Sequence, residues 1–306
     1  MRPLDRLILI LDRTLVLFIG LAVGAVVASS FLGGAETVSQ AQASIPPLPA
    51  PPPAAAALNR RTSDPATPRL AAAVAEHRPI AIGVFGDSFG DGIWAGLYNR
   101  LRSDRRFEVR QYSERSTGFT RYRSLNLLND ISAKLDREPV DIAVVSFGAN
   151  DTQGIFDQGH GNPYMSAGWQ RIVTERVSAV VALLRARGAM VYWVGLPKMR
   201  DPHFDADIQA MNAFYAARMA ALEVPYVETL PASVDAEGNY EPYLPAAPGR
   251  ERQLGRTNDG IHMTIPGYIR AVAGLSDRIR NSIPQAPPQS EAHAAGAAAP
   301  RARSQG

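Results

Sequence analysis

The sequence predicts an α/β fold, a three-layer α/β/α sandwich around a mostly parallel five-stranded sheet. Three observations predict it. Short apolar, β-branched runs alternate with helical stretches between residues 80 and 279. The runs are continuously apolar, as in strands buried on both faces. Gly and Pro punctuate their ends, as at Gly86, Pro139, Gly148 and Gly188.

The elements follow in order. Residues 80–85 (IAIGVF) form a buried strand closed by Gly86, and residues 89–101 continue with helical spacing. Residues 107–112 are a second strand and residues 125–135 a helix. Residues 140–147 (VDIAVVSF) are the strongest strand in the chain. A long amphipathic helix over 169–187 ends at Gly188, and a strand over 189–194 follows. A helix over 207–222 leads to a short strand at 224–227. One final helix spans 265–279, with Thr264 as its cap and Pro266 in its first turn. In such sheets, ligands bind beyond the carboxyl ends of the strands. Chemistry is therefore expected in the loops that begin at Gly86, Tyr112, Gly148 and Gly195.

The flanks differ in composition. Residues 14–32 (TLVLFIGLAVGAVVASSFL) are 19 residues without a charge. As a helix they nearly match the roughly 30 Å hydrocarbon core of a bilayer. Arg2, Arg6 and Arg13 precede them, a bias that keeps this end in the cytoplasm. A buried core helix is the alternative. Ala41-Gln42-Ala43 has the small-x-small form of a cleavage site but lies far beyond the apolar run, which favours an uncleaved anchor. Residues 45–57 (IPPLPAPPPAAAA) build no core and form an extended spacer. The expected organisation is a cytoplasmic N-terminus (1–13), a transmembrane signal anchor (14–32), a Pro/Ala-rich linker (33–76), a folded domain (77–283) and a disordered Pro/Ala-rich tail (284–306).

Composition narrows the function. The 306 residues suffice for a substantial core. A formal net charge of +3, with no dense basic stripe in the middle of the chain, argues against nucleic acid as a partner. The absence of cysteine excludes disulfides, thiol nucleophiles and Cys-built metal sites.

Four loops hold candidate chemistry. Gly86-Asp87-Ser88-Phe89-Gly90 joins a buried strand to a helix. A serine there suits a nucleophile flanked by backbone N–H donors; alternatively, Asp87 or Ser88 merely caps the helix. Gly86, Gly90 and Gly92 match neither dinucleotide nor P-loop spacing. Gly118, in the loop over 113–120, is either a close-approach donor or a turn residue. Gly148-Ala149-Asn150-Asp151 offers the Asn150 amide and a bracing Asp151, or is simply a turn. Asp259-Gly260-Ile261-His262 sets an aspartate three residues before a histidine, close enough to hold its tautomer. His77 and His293 lie in the flanks, and His160 and His203 in polar loops away from strand ends, so His262 is the best base. Trp94, Tyr122, Phe156, Tyr164 and Trp169 either line a sugar platform or belong to the core. Residues 151–167 form a rim, a lid or an ordinary surface loop.

Taken together and in this order, Gly86-Asp87-Ser88, Gly118, Gly148-Ala149-Asn150-Asp151 and Asp259-x-x-His262 resemble the four blocks of the SGNH (GDSL-like) hydrolases, over about residues 80–282. The anchor and linker resemble a membrane-anchored bacterial envelope branch of that family. The resemblance implies a flavodoxin-like SGNH-hydrolase domain over 77–283. It implies Ser88 as nucleophile, His262 as base and Asp259 as its orienter. The Ser88 and Gly118 backbone N–H groups and the Asn150 side chain would form the oxyanion hole, with no metal or organic cofactor required. The expected activity is ester hydrolysis, with O-acetyl groups of envelope polysaccharide or peptidoglycan as substrate. The domain is then expected in the periplasm, on the inner membrane, or secreted if the N-terminal segment is cleaved. An acyltransferase to an envelope glycan and a non-catalytic envelope-binding protein are the alternatives.

Overall fold

The computed structural model describes residues 67–245 and 251–283. The expected anchor, most of the linker and the tail lie outside these residues. Among the described residues no helix is long and apolar enough to cross a membrane.

Five parallel strands form the central sheet: β1 (Ile80–Gly86), β2 (Phe107–Gln111), β3 (Ile142–Ser146), β6 (Met190–Val194) and β7 (Tyr226–Val227). Their spatial order is β2-β1-β3-β6-β7. The mostly parallel five-stranded sheet expected from the sequence is thus present. Two short antiparallel hairpins sit outside it: β4 (Ile155–Asp157) with β5 (His160–Asn162), and β8 (Tyr243–Pro245) with β9 (Arg252–Leu254).

Side chains alternate between the two faces of each strand and build two apolar layers. Ile82, Val84, Ile142, Val144, Tyr192 and Val194 face one side. There they meet α1 (Pro68–Ala75), α2 (Ser88–Leu101), α6 (Ile265–Ala271) and α7 (Ala273–Ser282) through Leu70, Leu97, Tyr268 and Leu275. Phe85, Ala143, Val145, Val191 and Trp193 face the other side. They pack on α3 (Leu127–Arg137), α4 (Ala167–Ala186) and the later turns of α5 (Pro202–Ala221). Burial on both faces explains why these strands read as unbroken apolar runs.

Three expectations need correction. The linker boundary at residue 76 falls too late, because α1 packs on the domain. Thr67 caps it, Leu70 and Ala73 are buried, and Arg69 pairs with Asp141 at 3.1 Å. Its Ala-rich sequence resembles the linker in composition, which hid a short apolar stripe. The final helix is two helices, α6 and α7, broken at Val272. His160 and His203 are not in loops: His160 opens β5, and α5 starts at Pro202, with the Asp201 side chain accepting from the Phe204 N–H.

In this strand order the chain reverses direction across the sheet between β1 and β3. Their carboxyl ends therefore border the crevice where ligands bind in such sheets. Gly86 ends β1 so close to β3 that a Cβ there would lie 2.2 Å from the Ser146 carbonyl oxygen. This close approach brings the loop of Ser88 beside the loop of Asn150.

Candidate active site

The capping role in the first loop falls to Asp87, not Ser88. Asp87 caps α2, its Oδ1 accepting from the Phe89 N–H at 2.8 Å. Ser88, the first residue of the helix, points its hydroxyl elsewhere. Its Oγ lies 2.8 Å from Nε2 of His262. On the far side of the ring, Nδ1 of His262 lies 2.7 Å from Oδ2 of Asp259. A carboxylate only accepts, so Nδ1 carries the proton and Nε2 offers its lone pair to Ser88. Phe89 stacks on the imidazole, with ring centroids 5.2 Å apart, and steadies its plane.

The Asp259 loop is folded around its own carboxylate. Gly260 has φ +74, a left-handed conformation that glycine adopts without strain. The chain turns back there, and Oδ1 of Asp259 accepts from the N–H groups of Ile261 (2.8 Å) and His262 (3.0 Å) and from the Thr257 hydroxyl (2.6 Å). Burial alone would raise the Asp259 pKa. The hydrogen bonds from Thr257, His262 and the loop backbone outweigh it and hold the carboxyl well below the usual range.

Asn150 follows β3. Its amide donates to the Thr117 carbonyl at 2.9 Å and lies 3.5 Å from Oδ2 of Asp87. Thr117 precedes Gly118, so one hydrogen bond ties together the second and third loops. Gly148 allows the turn with φ +137. Asp151 braces the arrangement: its carboxylate accepts from the N–H groups of Phe119 (3.0 Å) and Thr120 (2.8 Å) and from the Thr120 hydroxyl (2.7 Å). A Cβ on Gly118 would lie 2.4 Å from Oδ1 of Asp151, so this loop position has no room for a side chain. Asp87 and Asp151 are both fully buried. Burial, reinforced by the nearby Asp151, pushes Asp87 up to about 7, and burial also raises Asp151.

The sequence-predicted residues Ser88, Asp259 and His262 are therefore joined in one chain of hydrogen bonds. Asn150 and the Thr117–Gly118 segment meet at the neighbouring strand end. His77, His160 and His203 are exposed and take no part in this chain. Ser88 and His262 line a cleft of about 500 Å³. A second hollow of about 580 Å³ lies between β7 and the α6–α7 pair, but none of the five predicted site residues lines it. Among the described residues no group of three or more His, Asp or Glu side chains is gathered as a metal would require.

A family model described as "protein of unknown function (DUF459)" matches residues 81–278. The chain belongs to this family. No curated protein matches it. Several solved structures are similar to it at low identity. The structure named TesA is 19% identical, with a TM-score of 0.43, over 63% of this chain and 96% of that one. A GDSL-like lipase from Bacteroides thetaiotaomicron is 18% identical, with a TM-score of 0.44, over 70% and 95%. The periplasmic domain of a lipopolysaccharide acetyltransferase from Salmonella ser. Paratyphi A is 11% identical, with a TM-score of 0.46, over 71% and 90%.

Sequence reasoning missed one supporting residue of this DUF459 domain, Arg256. It is fully buried, and its guanidinium donates to the carbonyls of Ile261 (2.8 Å), His262 (3.3 Å) and Lys198. It thereby pins the His262 loop to the loop after β6, the one expected site loop that supplies no predicted site residue. Burial lowers its pKa. Its partners are carbonyls distant in the chain, so no local motif announces it. Gly92 and Gly96, which the sequence leaves unexplained in α2, have a packing reason. A Cβ on Gly92 would lie 1.9 Å from the Tyr268 ring, and one on Gly96 2.7 Å from the Tyr268 carbonyl oxygen. These glycines let α6, which follows the His262 loop, lie directly on α2.

Of the five aromatics considered for a sugar platform, only Trp94 lines the Ser88 cleft. Trp169 is fully buried, Tyr122 and Tyr164 pack against the core, and Phe156 is exposed on β4. The β4–β5 hairpin, within the segment expected as rim, lid or surface loop, contributes nothing to the lining of this cleft.

Proposed function

We infer that this protein is a serine hydrolase of carboxylic esters, of the SGNH type. The observation that carries this reading is the unbroken relay from Ser88 through His262 to Asp259. Nε2 of His262 takes the Ser88 proton as Oγ attacks the ester carbonyl. The resulting oxyanion is stabilised by the Asn150 amide and the backbone N–H groups of Ser88 and Gly118. His262 then protonates the departing alcohol, leaving an acyl-Ser88 ester. Water, deprotonated by the same imidazole, attacks that ester; the acyl–Oγ bond breaks, the imidazolium returns its proton to Ser88 Oγ, and the carboxylic acid is released. Asp259 keeps the ring in the required tautomer and stabilises the imidazolium.

The reading extends to location. The uncharged segment over 14–32 and the Pro/Ala-rich linker support a domain held outside the inner membrane. O-acetyl groups of envelope polysaccharide or peptidoglycan are then the esters within reach. Recovery in the membrane fraction after alkaline extraction, lost on deletion of residues 1–32, tests the anchor.

A fluorophosphonate probe tests the chemistry. Wild-type protein takes the label and hydrolyses 4-nitrophenyl acetate, and Ser88→Ala does neither. A folded wild type that resists labelling, or a Ser88→Ala protein with full turnover, overturns the assignment.

A further inference from the structure

We propose that the cleft beside Ser88 is a leaving-group subsite for a pyranose ring, recognised by Asp91, Gln111 and Arg115 through hydrogen bonds and by Trp94 through its indole face. The inference rests on the ester-hydrolase reading and adds to it the alcohol half of the substrate and the residues that select it.

Which half of the ester lies here follows from the lining. His262 borders the cleft, and His262 must protonate the leaving oxygen. Asn150 and Gly118, the proposed oxyanion donors, do not border it. The alcohol therefore occupies this side of Ser88. A volume of about 500 Å³ suits a small ligand of one or two rings.

The chemistry of the wall is that of a hydroxyl-rich ligand. Ser88, Asp91 and Ala95 share one face of α2 by helical spacing and all line the cleft. The Asp91 carboxylate accepts from Nε2 of Gln111 at 2.9 Å, from the Ser113 hydroxyl and from Nε of Arg115. Burial would raise its pKa, but these three donors outweigh burial and keep it charged. The same bonds hold the Gln111 amide and the Arg115 guanidinium in place at the mouth, where Arg115 is 78% exposed. Vicinal hydroxyls satisfy such a row of donors and acceptors. An alkyl chain would strip water from them and return no hydrogen bond. Trp94 supplies the apolar surface that the C–H face of a sugar needs. Its ring is held by the Val109 carbonyl (3.4 Å) and by stacking on Tyr98, with centroids 5.7 Å apart.

The experiment compares two acetate esters of unlike alcohols on the purified full chain: 4-nitrophenyl acetate and an O-acetylated methyl glucoside. The readout is the ratio of kcat/KM for the sugar ester to that for the aryl ester. Gln111→Ala and Trp94→Ala are each expected to lower this ratio by about tenfold or more, mainly through KM for the sugar ester. Melting temperatures establish that each variant is folded, and Trp94→Phe replaces Trp94→Ala if the latter is not. A ratio that moves less than about twofold in every folded variant overturns the subsite. Wild type that cleaves the aryl ester but not the sugar ester overturns the subsite and leaves the hydrolase reading standing. Wild type that cleaves neither, and takes no fluorophosphonate label, overturns both.

Discussion

The Ser88 hydroxyl oxygen and Nε2 of His262 lie 2.8 Å apart although 174 positions separate them in the chain. One sits at the first turn of α2 and the other just before α6. The two helices pack directly against each other, and that packing holds the pair in register. Four consequences can be measured.

Asp259→Asn replaces an acceptor-only carboxylate with an amide able to donate toward Nδ1, which favours the wrong tautomer. Turnover should fall about 10³–10⁴-fold with little change in KM. The Asp259 carboxyl is held below the usual carboxylate range and stays ionised through the working range. The acidic limb of the wild-type pH–rate profile should therefore not belong to it. Its ionisation favours the native state above the unfolded carboxylate pKa, and that contribution is lost only as pH falls through the lower folded value. Turnover in the asparagine variant equal to that of wild type would refute this role.

Asn150→Ala removes one donor from the proposed oxyanion site and the bond to the Thr117 carbonyl. The loss of transition-state stabilisation should be about 2.7–4 kcal/mol, or roughly 10²–10³-fold in kcat. Steady-state kinetics on 4-nitrophenyl acetate measure it, with circular dichroism establishing that the fold persists.

Asp87 predicts an unusual pH dependence of stability. Its carboxyl is pushed up to about 7 in the folded protein, against 3.8 as the ordinary value. Between these values the native state binds more protons than the unfolded state, so stability falls as pH rises. Buried Asp151 acts in the same direction. The loss should be on the order of 3–4 kcal/mol for Asp87 alone. Asp87→Asn keeps an oxygen acceptor for the Phe89 N–H but cannot ionise. Its melting temperature should decline less than that of wild type from about pH 4 to about pH 7.5. Parallel curves for the two proteins would show that Asp87 is not the group responsible.

Gly92→Ala tests the contact between α2 and α6. Alanine improves intrinsic helix propensity by about 1 kcal/mol, which alone would stabilise. Its Cβ, however, would lie 1.9 Å from the Tyr268 ring, and overpacking of this kind costs typically about 1–3 kcal/mol. The expected result is a lower melting temperature together with reduced turnover, since α6 carries the chain onward from His262. A melting temperature above that of wild type would mean that the helices separate without penalty.

Much of this was legible in the chain. Continuous apolar runs identify β1, β3 and β6, because both faces of these inner strands are buried. Glycines and prolines mark where the strands stop. Ser88, Gly118, Asn150, Asp259 and His262 could be chosen because each sits in a loop following or preceding an identifiable element, and because their order is that of a known set of blocks. Local rules also place the Thr264 cap, where the side chain accepts from the Gly267 N–H at 3.3 Å. By contrast, α1 was hidden in an Ala-rich stretch, since its buried stripe is only Leu70 and Ala73 and its partner Asp141 lies 72 residues away.

Contacts between distant segments were decided by the tertiary structure alone. The sequence presents Asp87 as a capping residue, and only packing makes it a buried acid beside Asn150. Arg256 looks like any surface cation until three carbonyls from two loops surround it. Gly92 looks like a flaw in a helix until Tyr268 lies on it. Four of the five candidate platform aromatics prove to lie away from the cleft, because aromatic residues serve core and ligand equally well and only the path of the backbone separates the two. Periodicity and caps report the forces within one segment. Burial, and with it the charge state and reach of a side chain, is set by which segments the sheet brings together.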